Sequence, residues 1–390
     1  MIPVETALAH LFSLVAPLGV ETVPLGQAAG RVLAEPVAAS RDQPPFAASA
    51  MDGYAVCAGD AQTGATLDVI GEAAAGHGWP GTLSRGQAVR IFTGAPVPDG
   101  ADAIVLQEDV RASNGCITIT DTHRDGTWIR AAGGDFRAGD TLDAPRRLGP
   151  SDVALLAAMN CADVPVRRAP VVALIATGNE LVMPGEMPGP DQIVSSNAFG
   201  LAAVLRELGA EPRLLPIARD TTQALHTVFD LAQGADLIVT IGGASVGDHD
   251  LVGEVAAARG MERAFYKVAM RPGKPLMAGR MDRAALVGLP GNPVSALVCG
   301  HVFVAPMVRL MLGLGAHPAP RLGAVLAVDL PENGPREHYM RARLTHGQIT
   351  PDARQDSSLL SVLAHANALL VRPPGDPARA AGTPVDYVPL

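Results

Sequence analysis

Three Gly/Pro-rich loops, each directly following a short apolar run, constrain this chain more than any other feature. They read Ala176-Thr177-Gly178-Asn179-Glu180, then Gly242-Gly243-Ala244-Ser245-Val246-Gly247-Asp248-His249-Asp250, then Gly288-Leu289-Pro290-Gly291-Asn292-Pro293. In an open α/β sheet such loops lie side by side outside the carboxyl ends of the strands, where ligands bind. Together they predict one anion-accepting, acid-lined cleft.

The residues around the loops support that sheet. Val171–Ala176 is a continuous apolar run, as expected of a strand buried on both faces. Leu201, Val204, Leu205 and Leu208 recur at helical spacing and predict a helix over Ser196–Leu208, with Gly209 suited to its C′ position. Asp220-Thr221-Thr222 is a cap signal for a helix over 221–233. Further strands are expected at Arg213–Ile217, Leu237–Ile241, Phe265–Met270 and Ala285–Leu289, and helices near 251–259 and 293–312. Repeated strand–loop–helix units imply an α/β domain with a mostly parallel sheet, over 170–317.

At 390 residues the chain is too long for one ordinary core, so further domains are expected. Residues 44–145 read as a β-rich insertion, with short runs such as Ala88–Phe92, Ala103–Leu106 and Cys116–Ile119 between turns. Residues 1–43 and 146–169 read as a helical linker region on either side of it. Its expected helices are one within 3–17, one over 26–34, and Ser151–Met159 with Ser151 as N-cap. Residues 318–390 form a C-terminal β domain, with strands at Ala324–Leu330, Tyr339–Leu344 and Ala368–Arg372.

Several function classes are excluded. Net charge is −9 with dispersed basic residues, which disfavours nucleic acid as a partner. Cys57, Cys116, Cys161 and Cys299 form no C-x-x-C pair, which argues against a zinc ribbon and for a reducing compartment. The first residues, Met1-Ile2-Pro3-Val4-Glu5, carry no signal-peptide pattern. The most apolar helix, near Ala296–Val308, is interrupted by His301 and Pro306 and falls short of the about 20 residues a bilayer needs. A cytoplasmic protein with no membrane partner is expected. No H-E-x-x-H motif occurs.

The Gly242–Gly247 loop has two readings: a phosphate cradle at a helix N-terminus, or a plain tight turn. Asp248, Asp250 and Glu180 are either ligands of a divalent cation shared with phosphate or acids favoured by helix dipoles. Met270-Arg271-Pro272-Gly273-Lys274-Pro275, with Lys267 on the preceding strand, is either a preorganised oxyanion site or a solvated basic turn. Pro290 and Pro293 make a rigid strand-to-helix corner. In the insertion, the turns around Asp52, Thr93 and Asp135 read singly as hairpin turns.

The motifs Ser49-Ala50-Met51-Asp52-Gly53-Tyr54-Ala55-Val56, Thr93-Gly94-Ala95-Pro96-Val97-Pro98, Gly134-Asp135, Thr177-Gly178-Asn179-Glu180-Leu181, Gly242-Gly243-x-Ser245-Val246-Gly247, Pro272-Gly273-Lys274-Pro275 and Leu289-Pro290-Gly291-Asn292-Pro293 occur in one order along essentially the whole chain. In this the chain resembles the MoeA family of molybdopterin molybdenumtransferases, which includes the gephyrin E domain. The resemblance implies an elongated homodimer of four-region subunits ending in a β-barrel, with the cleft between the α/β domain of one subunit and the insertion of the other.

The implied reaction takes adenylylated molybdopterin from a molybdopterin adenylyltransferase, inserts molybdate with help from Mg²⁺ or another divalent cation, and releases AMP and molybdenum cofactor. The cofactor would pass on to molybdoenzyme-maturation proteins. On this reading Gly242, Gly243, Ser245 and Gly247 hold phosphate, while Glu180 and Asp250 hold the cation. Lys267, Arg271, Lys274 and Ser357 line a molybdate pocket. Asp52, Thr93 and Asp135 come from the neighbouring subunit, and Asp220 lies on another α/β loop. Asn179 stands where the family often has an acid, Arg271 where it often has lysine, and Ala244 is a minor change. The alternatives are a gephyrin-like scaffold and a stand-alone adenylyltransferase.

Overall fold

The computed structural model describes residues 1–122, 126–243 and 251–390. The chain divides into two compact units: residues 1–21, 30–34 and 166–390, and residues 22–29 with 35–165.

The first unit is built on a six-stranded sheet of β1 (Val171–Ala176), β2 (Glu211–Leu214), β3 (Leu237–Ile241), β4 (Glu262–Lys267), β5 (Pro275–Met281) and β6 (Ala284–Leu289). Their order is β2-β1-β3-β6-β5-β4. The first four are parallel, and β5 and β4 close the far edge antiparallel. Four helices accompany the sheet: α1 (Asn197–Leu208), α2 (Thr222–Leu231), α3 (Leu251–Ala258) and α4 (Pro293–Met311). Alternation along β1 divides its side chains between two cores. Val172 and Leu174 pack with Leu201, Leu205 and Phe303, while Ala173 and Ile175 pack with Leu225, Phe229 and Val255. Burial on both faces explains why these strands lack polar alternation.

Local signals set the helix ends. The Thr221 side chain accepts a 3.2 Å hydrogen bond from the Ala224 N–H and caps α2. Gly209 ends α1 at φ 90°, where a side chain is disfavoured. The strand expected at 213–217 lies earlier, because Pro216 has no N–H with which to extend the ladder. Strand β5 was not anticipated; its first residue, Pro275, ends the stretch Met270–Pro275 that reads as a rigid turn. The stretch 265–270 separates into β4 and a short strand, Met270–Arg271.

Helix α4 corrects a second expectation. A π-turn over Gly300–Val304 accommodates Pro306, so the helix is continuous rather than interrupted. It is long and apolar enough to cross a membrane by length and composition, and 78% of it is buried inside the protein. Val298, Phe303 and Met307 belong to the main core, so its apolar character is spent on packing.

Beyond α4, strands β7 (Leu322–Leu326), β8 (Glu337–Thr345), β9 (Gln348–Pro351), β10 (Ala368–Arg372) and β11 (Pro384–Pro389) close in the order β8-β9-β7-β11-β10-β8. Closure removes the sheet edges. Ala324, Leu326, Ala342, Ile349 and Leu370 are among the side chains packed together in its core. Strands β9 and β11 and the short helix α5 (Leu360–His365) were not anticipated, and the strand expected to reach Leu330 ends at Leu326. Met270–Arg271 pairs in parallel with Glu337 and His338 of β8. At the other terminus, the helix Val4–Ser13 is shorter than the expected 3–17 and buries Val4, Ala7, Leu8 and Leu11.

In the second unit, a six-stranded sheet runs in the order Ala103–Leu106, Gly53–Val56, Gln87–Ile91, Thr66–Ala73, Cys116–Ile119 and Val110–Ser113. Two apolar clusters cover it, one holding Ala55, Val89 and Ile91, the other Val56, Ala88 and Ile117. Its helix Pro150–Ala158 starts at Gly149, not at Ser151: Pro150 takes the first turn and Asp152 accepts from the Gly149 N–H at 2.8 Å. The helix expected over 26–34 is absent. A 3₁₀ turn at Leu25–Gln27 is followed by Gly30 at φ 76° and the strand Val32–Leu33.

Candidate functional site

The loops after β1, β3 and β6 are stitched to one another by their backbones. The Thr177 N–H donates to the Ile241 carbonyl and the Gly242 N–H to the Leu289 carbonyl, each at 3.0 Å. Gly178 N–H donates to the Ala218 carbonyl, also at 3.0 Å, and draws in the loop after β2. One glycine is required by this closeness. Gly242 has φ 96°, and a Cβ there would stand 2.7 Å from the Thr177 carbonyl oxygen. Gly178 is favoured by its φ of 148° instead, since a Cβ there would meet only the carboxylate end of the exposed Glu180 side chain.

The loops enclose a cleft of about 1050 Å³. Thr177, Gly178 and Glu180 form one wall, with Asp220, Gly242, Gly243, Pro290 and Pro293 around it. Asn197, Leu251 and Pro293, the first residues of α1, α3 and α4, also line it. Three helix N-termini therefore bring partial positive charge to one hollow, which suits an anion. Glu180 and Asp220 are exposed carboxylates in the same hollow.

The acid-bearing loop is held by interactions that the sequence motifs did not disclose. The Asn179 N–H donates to Asp220 Oδ2 at 3.2 Å, and the Asp220 N–H donates to Asn179 Oδ1 at 3.1 Å. Arg219 Nη1 donates to the carbonyls of Gly178, Asn179 and Leu181 at 3.3, 3.0 and 2.8 Å. Asn197 Nδ2 donates to the Gly291 carbonyl at 2.7 Å. An Asn or Arg next to a glycine loop is the only sequence signal for such ties.

Of the basic candidates, Lys267, Arg271 and Lys274 do not line the cleft, whereas their neighbour Pro275 does. Lys267 is half-buried, its Nζ 5.3 Å from the centre of the Tyr266 ring, and Arg271 and Lys274 are exposed. Ser357 is tied to the head of α4: its Oγ accepts from Asn292 Nδ2 at 3.1 Å and its carbonyl from the Val294 N–H at 3.1 Å. Its neighbour Ser358 lines the cleft. Two basic residues on β8 escaped the motif reading. Arg341 is fully buried; its Nη2 donates to the carbonyls of Arg354 and Asp356 at 3.1 and 2.9 Å, while Nε and Nη1 have no partner. His338 is 7% exposed and its Nε2 is likewise unpartnered. Their signal was polar residues inside an otherwise strand-like run.

In the second unit Asp52 and Thr93 meet. Asp52 Oδ1 accepts from both the Thr93 N–H and the Thr93 hydroxyl at 2.8 Å. These bonds, the backbone one first, hold the Asp52 carboxyl below its ordinary range, and the Arg90 charge adds to them. Arg90 lies 5.0 Å from the Tyr54 ring centre and 4.8 Å from that of Phe92. Asp135 is exposed in a separate turn, where its N–H donates to the Gln43 carbonyl.

Ser245, Gly247, Asp248 and Asp250 lie outside the described residues. Among the described residues, no three His, Cys, Asp or Glu side chains cluster as a metal site.

Three family models match in sequence order: the MoeA N-terminal region (domain I and II) over 2–160, a probable molybdopterin binding domain over 173–310, and the MoeA C-terminal region (domain IV) over 323–390. A molybdopterin molybdenumtransferase of Nostoc sp. is 38% identical over 381 residues, covering 94% of this chain and 87% of that protein. Molybdopterin molybdenumtransferase 2 of Mycobacterium tuberculosis is 40% identical over 377 residues, covering 93% of both. The crystal structure of a molybdopterin biosynthesis MoeA protein from Pyrococcus horikoshii OT3 superposes with a TM-score of 0.86 at 27% identity, over 100% of both chains. Neither the scaffold nor the adenylyltransferase alternative is favoured by these likenesses. With relatives this similar along nearly its full length, the chain belongs to the MoeA family.

Proposed function

We propose that the protein is a molybdopterin molybdenumtransferase, which inserts molybdate into adenylylated molybdopterin, releases AMP and yields molybdenum cofactor. The observation that carries this reading is the single hollow in which Glu180 and Asp220 meet the Gly242–Gly243 turn and three helix N-termini. A phosphoanhydride needs backbone N–H groups for its oxygens and acids to orient water, and both are present there.

The glycine turn, with Ser245 and Gly247 beyond the described residues, holds the phosphates, and Pro290 and Pro293 fix the head of α4 beside them. Glu180, Asp220 and Asp250 supply hard carboxylate oxygens, which suit Mg²⁺ or a similar cation. A bound divalent ion neutralises phosphate charge. Lys267, Arg271, Lys274, Arg341 and Ser357 form the oxyanion subsite for molybdate; the unpartnered Nε and Nη1 of buried Arg341 support this, because buried N–H donors without an acceptor are costly. Asp52, Thr93 and Asp135 reach the cleft from the second protomer of a homodimer. An adenylyltransferase supplies the substrate, and molybdoenzyme-maturation proteins receive the product. The four free thiols suit a reducing cytoplasm.

The test is AMP release from adenylylated molybdopterin with Mg²⁺ and molybdate. Release should depend on molybdate and be abolished in Glu180→Ala. Ligand binding without any AMP release by the wild type would overturn the reading.

A further inference from the structure

Arg90 ties together three segments of the second unit that meet at Asp52. Its Nη1 donates to the Gly53 carbonyl at 3.1 Å and its Nη2 to Gln107 Oε1 at 2.7 Å. The Gln107 N–H in turn donates to the Asp52 carbonyl at 3.2 Å. The carbonyls of Asp52 and of the next residue are thus both held, one through Gln107 and one by Arg90 itself. The third segment is reached by stacking. The guanidinium lies 4.8 Å from the ring centre of Phe92, whose neighbour Thr93 gives Asp52 Oδ1 its two hydrogen bonds.

The strands make this convergence possible. Tyr54 faces Arg90 across the Gly53–Val56/Gln87–Ile91 ladder, and Phe92 follows Arg90 by two residues, so the three side chains share one face. Pairing on both edges fixes the backbone from Gly53 to Val56. Asp52 stands just outside that ladder, and its half-exposed side chain has no core packing to hold it. The ties through Arg90, Gln107 and Thr93 are what orient it. Both acceptors of Arg90 are neutral, so its charge remains to act on the carboxylate nearby, behind the two Thr93 bonds.

We propose that Arg90 is a positioning residue for the reaction, holding the Asp52 carboxylate in place through Gly53, Gln107 and the Phe92–Thr93 turn. The inference rests on the placement of Asp52 in the reaction proposed above. Lysine is no substitute at this position. A single ammonium on a flexible stem cannot hold two acceptors in fixed directions while it stacks on an aromatic face.

The experiment follows molybdate-dependent AMP release by the intact protein in a double-mutant cycle of Arg90→Gln and Asp52→Asn. Arg90→Gln should lower kcat by about tenfold and leave the KM for adenylylated molybdopterin within about twofold. In the Asp52→Asn background the same substitution should change kcat by less than about twofold, because the acid it positions is gone. Arg90→Lys should be nearly as slow as Arg90→Gln. Additive effects in the cycle would overturn the inference by showing that Arg90 does not act through Asp52. Full activity in Arg90→Lys would overturn it too, by showing that the charge alone matters. Should the Arg90 variants fail to fold, Gln107→Ala carries the test, since it trims an exposed side chain. A loss of about threefold that vanishes in the Asp52→Asn background is expected there, and a wild-type rate would overturn the inference. Full activity in Asp52→Asn would remove Asp52 from the reaction and the inference with it. No AMP release by the wild type would instead overturn the proposed reaction itself.

Discussion

Asn179 and Asp220 clasp each other across two loops, each backbone N–H donating to the other's side-chain oxygen, at 3.2 and 3.1 Å. This gives the amide at 179 a function where the family often has an acid: it accepts from the backbone of the Asp220 loop. Asn179→Ala removes one of the two bonds, worth about 1 kcal/mol. Glu180 and Asp220 are then less well placed, and AMP release should fall by about fivefold with little change in melting temperature. Asn179→Asp keeps the acceptor and should retain most activity. Wild-type rates in Asn179→Ala would show that the clasp has no bearing on the reaction.

Thr93 tunes Asp52. The folded pKa of Asp52 lies below its unfolded value, so the carboxylate's contribution to stability is present above about pH 4 and disappears as pH falls through the folded pKa. Thr93→Val deletes the hydroxyl bond and leaves the backbone one. The Asp52 carboxyl should then titrate at higher pH, and the acid limb of the rate profile should move up with it. Carboxyl chemical shifts followed against pH measure the first effect directly.

The parts legible in the sequence were those governed by near neighbours. Leu201, Val204, Leu205 and Leu208 spell out α1, Thr221 caps α2, and the apolar runs of β1 and β3 coincide with the strands. The illegible parts depend on residues distant in sequence. Strand β5 is a strand because β4 and β6 flank it, although Pro275 and Gly279 argue locally against one. Barrel closure needs Tyr339 to pair with Val371, and no local pattern announces that. At the site the glycines and acids could be read from motifs, whereas Arg219, Asn292 and Arg341 are explained by what they touch in the folded chain.

Gly242→Ala should be severe for a steric reason. The position has φ 96°, and the added Cβ would meet the Thr177 carbonyl, a backbone atom that cannot swing aside. A strained backbone position of this kind costs of order 1–3 kcal/mol. Denaturant unfolding should show that loss, together with weakened binding of adenylylated molybdopterin. Gly334→Ala, with open space around it, should change stability by less than about 0.5 kcal/mol.

The four thiols should separate into two classes. Cys299 is fully buried beside Met270 and Gly273, and burial pushes its thiol far above the ordinary range. Cys57, Cys116 and Cys161 are partly exposed. An alkylating reagent at mildly alkaline pH should modify these three in the native protein and Cys299 only after unfolding, because the thiolate is the reactive form. Peptide mass spectrometry reads the sites. Native labelling of Cys299 at a comparable rate would mean that this part of the core opens readily.

Ser357 stands where two explanations of one residue can be separated. As an oxyanion ligand it would act on molybdate directly; as the acceptor of Asn292 Nδ2 it would act by steadying the head of α4. Ser357→Ala removes both roles, whereas Asn292→Ala removes only the second. The placement of Ser357 in the molybdate subsite predicts a higher KM for molybdate in Ser357→Ala, by roughly tenfold for a lost bond to a charged group. Asn292→Ala should leave that KM within about twofold, while the KM for adenylylated molybdopterin rises, since Asn292 lines the cleft. Equal effects of the two substitutions on molybdate would place Ser357 behind the subsite, as a support for Asn292 rather than a ligand.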